Sequence, residues 1–481
     1  MSMAARGSQS LFFNLCYLGA ARAGVVVMNL LATSRLAHAL GTENFGINSF
    51  AVSYVAYFLI VVNLGFETFV TREVAADVTR LRSLVSNVIS IRLVLAATMT
   101  IVLLASLPLL HFSATGRLVI MIQGVNLFTM AIGLTCAYQG LQRMRVVAGR
   151  EFIASLANVI CVLWLVHTQG DLLVAASITV ATQLLTNAAI LSQYSTEFGF
   201  PRLRLPGRET FRLARQSMAF FWSLLMIAIT YNTHIVLLGL LRSETQVGLF
   251  SAGWKLFVFA IAVPNLIATL FMPRIANLGN RPGECDRAIE LFAKSIIICA
   301  IPVSMFGSLL APQILGLLFG PAYLQAAPVV VVLLLNALVV ALNIGLGTTM
   351  LAMGRQNRFL RVVATGAGIG VVLHAVLIPL YGAEGAAIAT LADEAAILLL
   401  LFRGCPEMAV PKVIDFTMRC VLAIIPAAAA VHFVPLLPVV QKSNLWMVLT
   451  GGAMGSIIYA LALRALRIDL RHFAADLRGL R

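Results

Sequence analysis

A chain of 481 residues with 60% apolar and only 11% charged residues, and a mean hydropathy of +0.95, is not a soluble multidomain protein, which would carry about 25% charged residues. It is not a disordered chain either, since those are poor in apolar side chains. The formal charge of +15 would point to nucleic acid in a soluble domain, but in a membrane chain it records topology. Seven cysteines, among them Cys16, Cys136, Cys161 and Cys299, are scattered through apolar runs and give neither a metal spacing nor a disulfide framework.

A membrane-spanning helix needs about 20 apolar residues. Runs of that length fall near residues 11–32, 46–65, 86–110, 118–138, 151–168 and 172–192, then near 215–241, 246–271, 289–311, 326–348, 359–380 and 384–402, with two more at 415–434 and 444–464. The expected fold is an all-α polytopic membrane protein of about 14 transmembrane helices. The first run has no small-residue cleavage site and is read as an uncleaved helix.

Orientation follows from Lys and Arg in alternate loops. With a cytoplasmic N-terminus, 26 of the 34 cationic residues fall in inner segments, and only Arg35, Arg117, Arg242 and Lys442 in outer loops. Both termini are therefore expected on the cytoplasmic side of the membrane. The longest inner connection, near 193–214, carries Pro, Gly and Arg and reads as a linker between two halves. Expected domains are residues 1–200 (spans 1–6), 201–402 (spans 7–12) and 403–481 (two additional spans and a basic tail). That tail either forms an amphipathic helix on the inner leaflet or is an ordinary positive-inside end.

An internal repeat supports the division. At an offset of 202 residues, Phe45–Val74 aligns with Val247–Ala276 and seven of thirty positions are identical, including Gly46/Gly248, Asn63/Asn265 and Arg72/Arg274. The same offset pairs Arg92 with Lys294. Six spans separate the copies, so they share one orientation, as in transporters built from parallel repeats.

The segment Leu40-Gly41-Thr42-Glu43-Asn44-Phe45-Gly46, followed by Leu64-Gly65-Phe66 and Arg72-Glu73-Val74-Ala75, resembles the N-terminal signature of Wzx-type polysaccharide flippases of the multidrug/oligosaccharidyl-lipid/polysaccharide (MOP) superfamily. Val247-Gly248-Leu249-Phe250-Ser251-Ala252 with Lys255-Leu256 resembles the matching part of their second half. The resemblance implies two parallel six-helix lobes around a central cavity plus two C-terminal helices. It also implies movement of undecaprenyl-pyrophosphate-linked oligosaccharides between leaflets. Implied partners are the lipid-linked oligosaccharide, membrane lipids and possible contacts with the polysaccharide polymerase and glycosyltransferases, but not nucleic acid. Peptidoglycan-precursor (lipid II) flippases share this layout and remain an alternative.

A charge at mid-bilayer costs roughly 2.5–3.5 kcal/mol on insertion scales and needs a partner or a watery cavity. Arg22 and Lys255 each lie near the centre of a span, about 17 Å deep at ~1.5 Å per residue, and are candidates to hold the pyrophosphate or an acidic sugar. Lys255 might equally pair with Asp393 or Glu394. Arg92 and Lys294 are shallower, suited to snorkelling to the inner surface or to first docking of the headgroup. Asn29 and Asn232 stand for a set of polar residues at spanning depth that suits either a glycan or helix–helix hydrogen bonds. Asp393 and Glu394 form the acidic pair at depth and are candidates for coupling to H+ or Na+. The sequence has no HExxH, CxxC or Walker loop, so neither an enzyme nor a cofactor is expected. A MATE-like cation antiporter would present carboxylates to its cargo, whereas the cores of spans one to six hold none.

Overall fold

The computed structural model describes residues 3–203, 207–279, 281–404, 411–434, 443–466 and 468, with side chains from Gly24 onward except at 282, 404, 411 and 412. Arg22 as a side chain, and the basic tail beyond 468, therefore lie outside the described residues. The described residues hold helices and no strand. They form two compact units, Met1–Gly248 and Leu249–Arg481.

The first unit contains α1 (Met3–Asn63), α2 (Phe66–Ala76), α3 (Leu81–Ser106), α4 (Ala114–Gly124), α5 (Asn126–Ala131), α6 (Thr135–Gly140), α7 (Met144–Leu165), α8 (Leu172–Phe198), α9 (Arg208–Leu241) and the first residues of α10 (Glu244–Ala260). The second unit holds the rest of α10, then α11 (Ala262–Leu278), α12 (Pro282–Leu309), α13 (Ala311–Leu318), α14 (Ala327–Ala352), α15 (Gln356–Gly404), α16 (Pro411–Phe433) and α17 (Asn444–Ala465). Among the described residues, twelve helical stretches are long and apolar enough to cross a membrane.

Two of the twelve, 24–76 and 356–403, are far longer than one crossing. Each is folded at a glycine that other residues could not replace without strain. Gly41 in α1 has φ 73°, ψ 177°, and Gly382 in α15 has φ 58°, ψ −130°. The loop between α7 and α8 covers the first fold: Asn44 Nδ2 donates to the Gln169 carbonyl over 3.0 Å. That loop is held by Asp171, which accepts from the His167 and Thr168 amides. These donors keep its carboxyl below the usual carboxylate range.

The expected single span at 118–138 is broken into α4, α5 and α6. Interruptions at this depth survive only where other groups satisfy the freed backbone. Here Asn187 Nδ2 donates to the Thr129 carbonyl at 3.0 Å, while a side-chain pair, Asn126 Nδ2 donating to Gln123 Oε1 at 3.1 Å, spans the break between α4 and α5. Several uncharged polar residues at depth thus hold broken helices together.

Phe66, Phe69, Val85, Tyr138 and Tyr194 pack together in the first unit. In the second, Phe271 stacks on Phe292 at 5.1 Å, and a further cluster gathers Phe306, Ile424 and Tyr459. Large apolar side chains also cover the outside, with Ile101, Trp164, Leu185 and Leu399 all exposed. Such a surface suits a chain solvated by acyl tails rather than water.

The repeat-matched glycines meet each other. A Cβ at Gly46 would stand 1.9 Å from the Glu244 carbonyl oxygen, and one at Gly248 would stand 1.9 Å from that of Thr42. Backbone lies against backbone, and any side chain must push the helices apart. Gly46→Ala and Gly248→Ala should each cost about 1–3 kcal/mol, the usual effect of overpacking. The purified protein should then show a lower apparent melting temperature. Gly452→Ala, where nothing lies within 4 Å, should leave it unchanged.

Candidate functional site

The charges expected at depth have different surroundings. Arg92 does not snorkel. It is 1% exposed, with Nη2 donating to Asn63 Oδ1 at 2.7 Å and Nη1 to the Gly133 carbonyl at 3.1 Å. Its guanidinium carbon lies 5.9 Å from the centre of the Phe66 ring. The reason is local: Leu64 and Gly65, both at positive φ, interrupt the helix between α1 and α2. Residues 132–134 interrupt it between α5 and α6. Arg92 bridges the two breaks, and Asn63 Oδ1 also accepts from the Glu67 amide at 3.2 Å.

Lys294, its repeat partner, is neutralised. Nζ pairs with Glu290 one turn earlier and lies 5.4 Å from the centre of the Phe416 ring. Asn232 is half-buried, and its Nδ2 donates to the Ala228 carbonyl of its own helix at 3.2 Å. Asn29 is exposed on α1.

Lys255 differs from these. It is exposed, eleven residues into α10, on a stretch of mean hydropathy 2.1. Among the described residues it has neither an ion-pair nor a hydrogen-bond partner. The alternative pairing with Asp393 or Glu394 is absent. Aromatic rings flank it in sequence, Trp254 stacking on Phe257 at 4.6 Å. An accessible ammonium in so apolar a helix requires water or an anion around it.

Asp393 and Glu394 are buried, 3% and 8% exposed. Asn343 of α14 reaches the second with Nδ2, 2.7 Å from Glu394 Oε2 and 3.0 Å from its carbonyl. Asp393 Oδ1 has no hydrogen-bond partner among the described residues. Its Oδ2 presses on Gly370, where a Cβ would come within 2.5 Å. His374 sits one turn beyond Gly370, 2% exposed. Its Nδ1 is 2.6 Å from the Gly370 carbonyl and its Nε2 is 3.2 Å from Thr390 Oγ1. Sequence reasoning missed this histidine. Sixteen residues separate it from Thr390, and only the fold at Gly382 brings them together. The signal that could have found it is the Pro379–Gly382 break inside an otherwise apolar stretch. Among the described residues, no group of three or more His, Cys, Asp or Glu is placed to hold a metal.

A further polar cluster joins the start of α7 to the end of α8. Arg143 pairs with Glu197, Arg150 donates to Gln193, and Gln193 Nε2 donates to Glu197 Oε1 at 2.6 Å. These contacts account for part of the positive charge in this connection.

Removing the Arg92 side chain takes away the donor to the Gly133 carbonyl and leaves Asn63 Oδ1 with the Glu67 amide alone, at about 1–3 kcal/mol for a buried group left unsatisfied. Arg92→Met should therefore lower the melting temperature and the membrane level of the protein. Arg92→Lys, with one ammonium for two acceptors, should recover part of the loss.

Residues 13–278 match the family model described as "Polysaccharide biosynthesis protein". The chain is 25% identical over 405 residues to a "Putative O-antigen transporter" of Escherichia coli (strain K12), covering 82% of this chain and 96% of that one. It is 22% identical over 219 residues, 44% of each chain, to a "Probable low-salt glycan biosynthesis flippase" of Haloferax volcanii. In fold it is similar to the lipid II flippase MurJ in an inward closed conformation, with a TM-score of 0.76 at 12% identity over 94% of this chain and 99% of the other. It is also similar to an inward-facing multidrug resistance MATE family transporter of the MOP superfamily, with a TM-score of 0.63 at 14% identity, covering 80% and 94%.

Proposed function

Because the chain belongs to the polysaccharide biosynthesis protein family of membrane flippases, we propose that it carries undecaprenyl-pyrophosphate-linked oligosaccharide repeat units from the inner to the outer leaflet of a bacterial cytoplasmic membrane. The product would be built into a surface polysaccharide, either O-antigen or exopolysaccharide. The observation that carries this reading is the unneutralised Lys255 in the apolar α10. A cationic group kept accessible at that depth is matched to an anionic headgroup, and a MATE-like cation antiporter would have little use for it.

In this reading each glycine-folded stretch counts as two crossings, which restores fourteen spans and places both termini on the cytoplasmic side. The polyprenyl tail stays in lipid while the pyrophosphate meets Lys255. The protein then exposes the headgroup to the other side by alternating access. An interior-negative potential favours outward movement of an anion by about 2.3 kcal/mol per charge per 100 mV. Return of the empty carrier is coupled to H+ or Na+ at Asp393 and Glu394. Arg92 and Lys294, already occupied, serve structure in this scheme rather than the cargo. The polymerase and the glycosyltransferases act on the product and the precursor.

The second reading, a lipid II flippase, is favoured by the similarity in fold to MurJ. Its cargo presents the same pyrophosphate, so the two differ in the sugar.

A strain lacking this chain should accumulate lipid-linked oligosaccharide on the inner leaflet and lose its surface polymer, both restored by the wild-type gene. Lys255→Gln, present at wild-type level, should lower export about ten- to hundredfold, since a hydrogen bond to a charged group contributes roughly 1.5–3 kcal/mol. Lys255→Arg should retain most of it. Full export by the glutamine variant would remove Lys255 from the site. Lipid II accumulation in the deletion strain would select the second reading.

A further inference from the structure

His374 is enclosed by oxygen atoms, and its hydrogens can be placed by elimination. A carbonyl oxygen only accepts, so the 2.6 Å contact with Gly370 requires a hydrogen on Nδ1. On the other side Nε2 lies 3.2 Å from Thr390 Oγ1. The Thr390 hydroxyl has one hydrogen, which can go to the Ala386 carbonyl at 2.8 Å or to Nε2. When it goes to Ala386, Oγ1 presents only lone pairs to the ring, and Nε2 must donate as well. The imidazole also meets the Ala386 backbone itself. In that arrangement both ring nitrogens donate, which is the hydrogen-bond pattern of the imidazolium. The neutral ring fits only if the Thr390 hydroxyl turns from Ala386 to Nε2.

We propose that His374 is a proton-binding site in which the direction of the Thr390 hydroxyl switches with the charge of the ring. In one state the ring is neutral, with its hydrogen on Nδ1, and Thr390 donates to Nε2. In the other, one proton from water has joined Nε2, and Thr390 donates to Ala386. A single N–H bond forms or breaks, and water supplies and receives the proton. Gly370 lies before the fold at Gly382, whereas Ala386 and Thr390 lie after it. The cationic ring therefore ties the two arms of α15 together through acceptors on both.

Asp393 Oδ2 lies against Gly370, the residue whose carbonyl holds Nδ1. Glu394 is turned to Asn343 of α14, and α14, which packs against α15, carries no ionisable residue. Glu384 and Tyr381, near the fold, are exposed, and Lys255 pairs with neither carboxylate. The site rests on the transport reading only for its use in coupling, and its protonation can be measured without the cargo.

The test is 15N-imidazole NMR of the full chain in nanodiscs, with His374 assigned among seven histidines by its loss in His374→Gln. Should that variant not fold, the resonance displaced in Thr390→Val, a change of similar volume, gives the assignment. The expected result is a titration between an imidazolium and a neutral form protonated at Nδ1, rather than at the Nε2 favoured in water. Thr390→Val removes the hydroxyl that donates to Nε2 of the neutral ring while the cation keeps its carbonyls, so it should raise proton affinity threefold or more. A ring that stays in one neutral tautomer throughout, or titrates to the Nε2–H form, would overturn the proposal, as would a proton affinity unmoved by Thr390→Val. If lipid-linked oligosaccharide does not accumulate in the deletion strain, the cargo falls and this titration is untouched.

Discussion

Backbone amides and carbonyls that leave a helix inside an apolar slab have no water to turn to, and this constraint decides where the polar residues of the chain go. Asn63, Arg92, Asn126 and Asn187 are each occupied at or beside an interruption in α1–α2 or α4–α6. The most costly of them, Arg92, is the clearest case. Its guanidinium is buried because two breaks need several donors in fixed directions, which a planar fork supplies and a single ammonium does not.

Once those groups are assigned, the functional candidates become few. Lys294 is neutralised by Glu290 and Glu394 is held by Asn343, so neither is a free charge awaiting cargo. Lys255 and the Asp393–His374 turn remain, with opposite requirements. The Lys255 side chain is exposed, while the imidazole and carboxylate are enclosed, and they lie on different helices, α10 and α15.

Much of this was readable in the residues. The apolar runs fall on helical stretches long and apolar enough to cross a membrane, and the Gly46/Gly248 repeat singled out two glycines that the fold places against each other. Arg92 was misjudged because depth in a span says how far a side chain must reach to escape, but not whether something inside is asking for it. The request comes from the breaks at Leu64–Gly65 and 132–134, and the second of these falls in a run that reads as one continuous helix. His374 was invisible for a similar reason: its partner becomes a neighbour only after the chain doubles back at Gly382. Offset matching also paired Arg92 with Lys294, whose roles have diverged, since identity of position carries over the backbone path more faithfully than side-chain partners.

The meeting of Gly46 with Gly248 has a consequence of its own. These are two copies of one position, each touching the carbonyl of the residue four places before the other, so the contact is self-complementary in the manner of an isologous interface. A duplicated segment obtains such a junction from a single residue type used twice, with no need to fit two unlike surfaces. The same economy makes it brittle: enlarging either copy cannot be answered by trimming a neighbour, because both sides are already reduced to main chain.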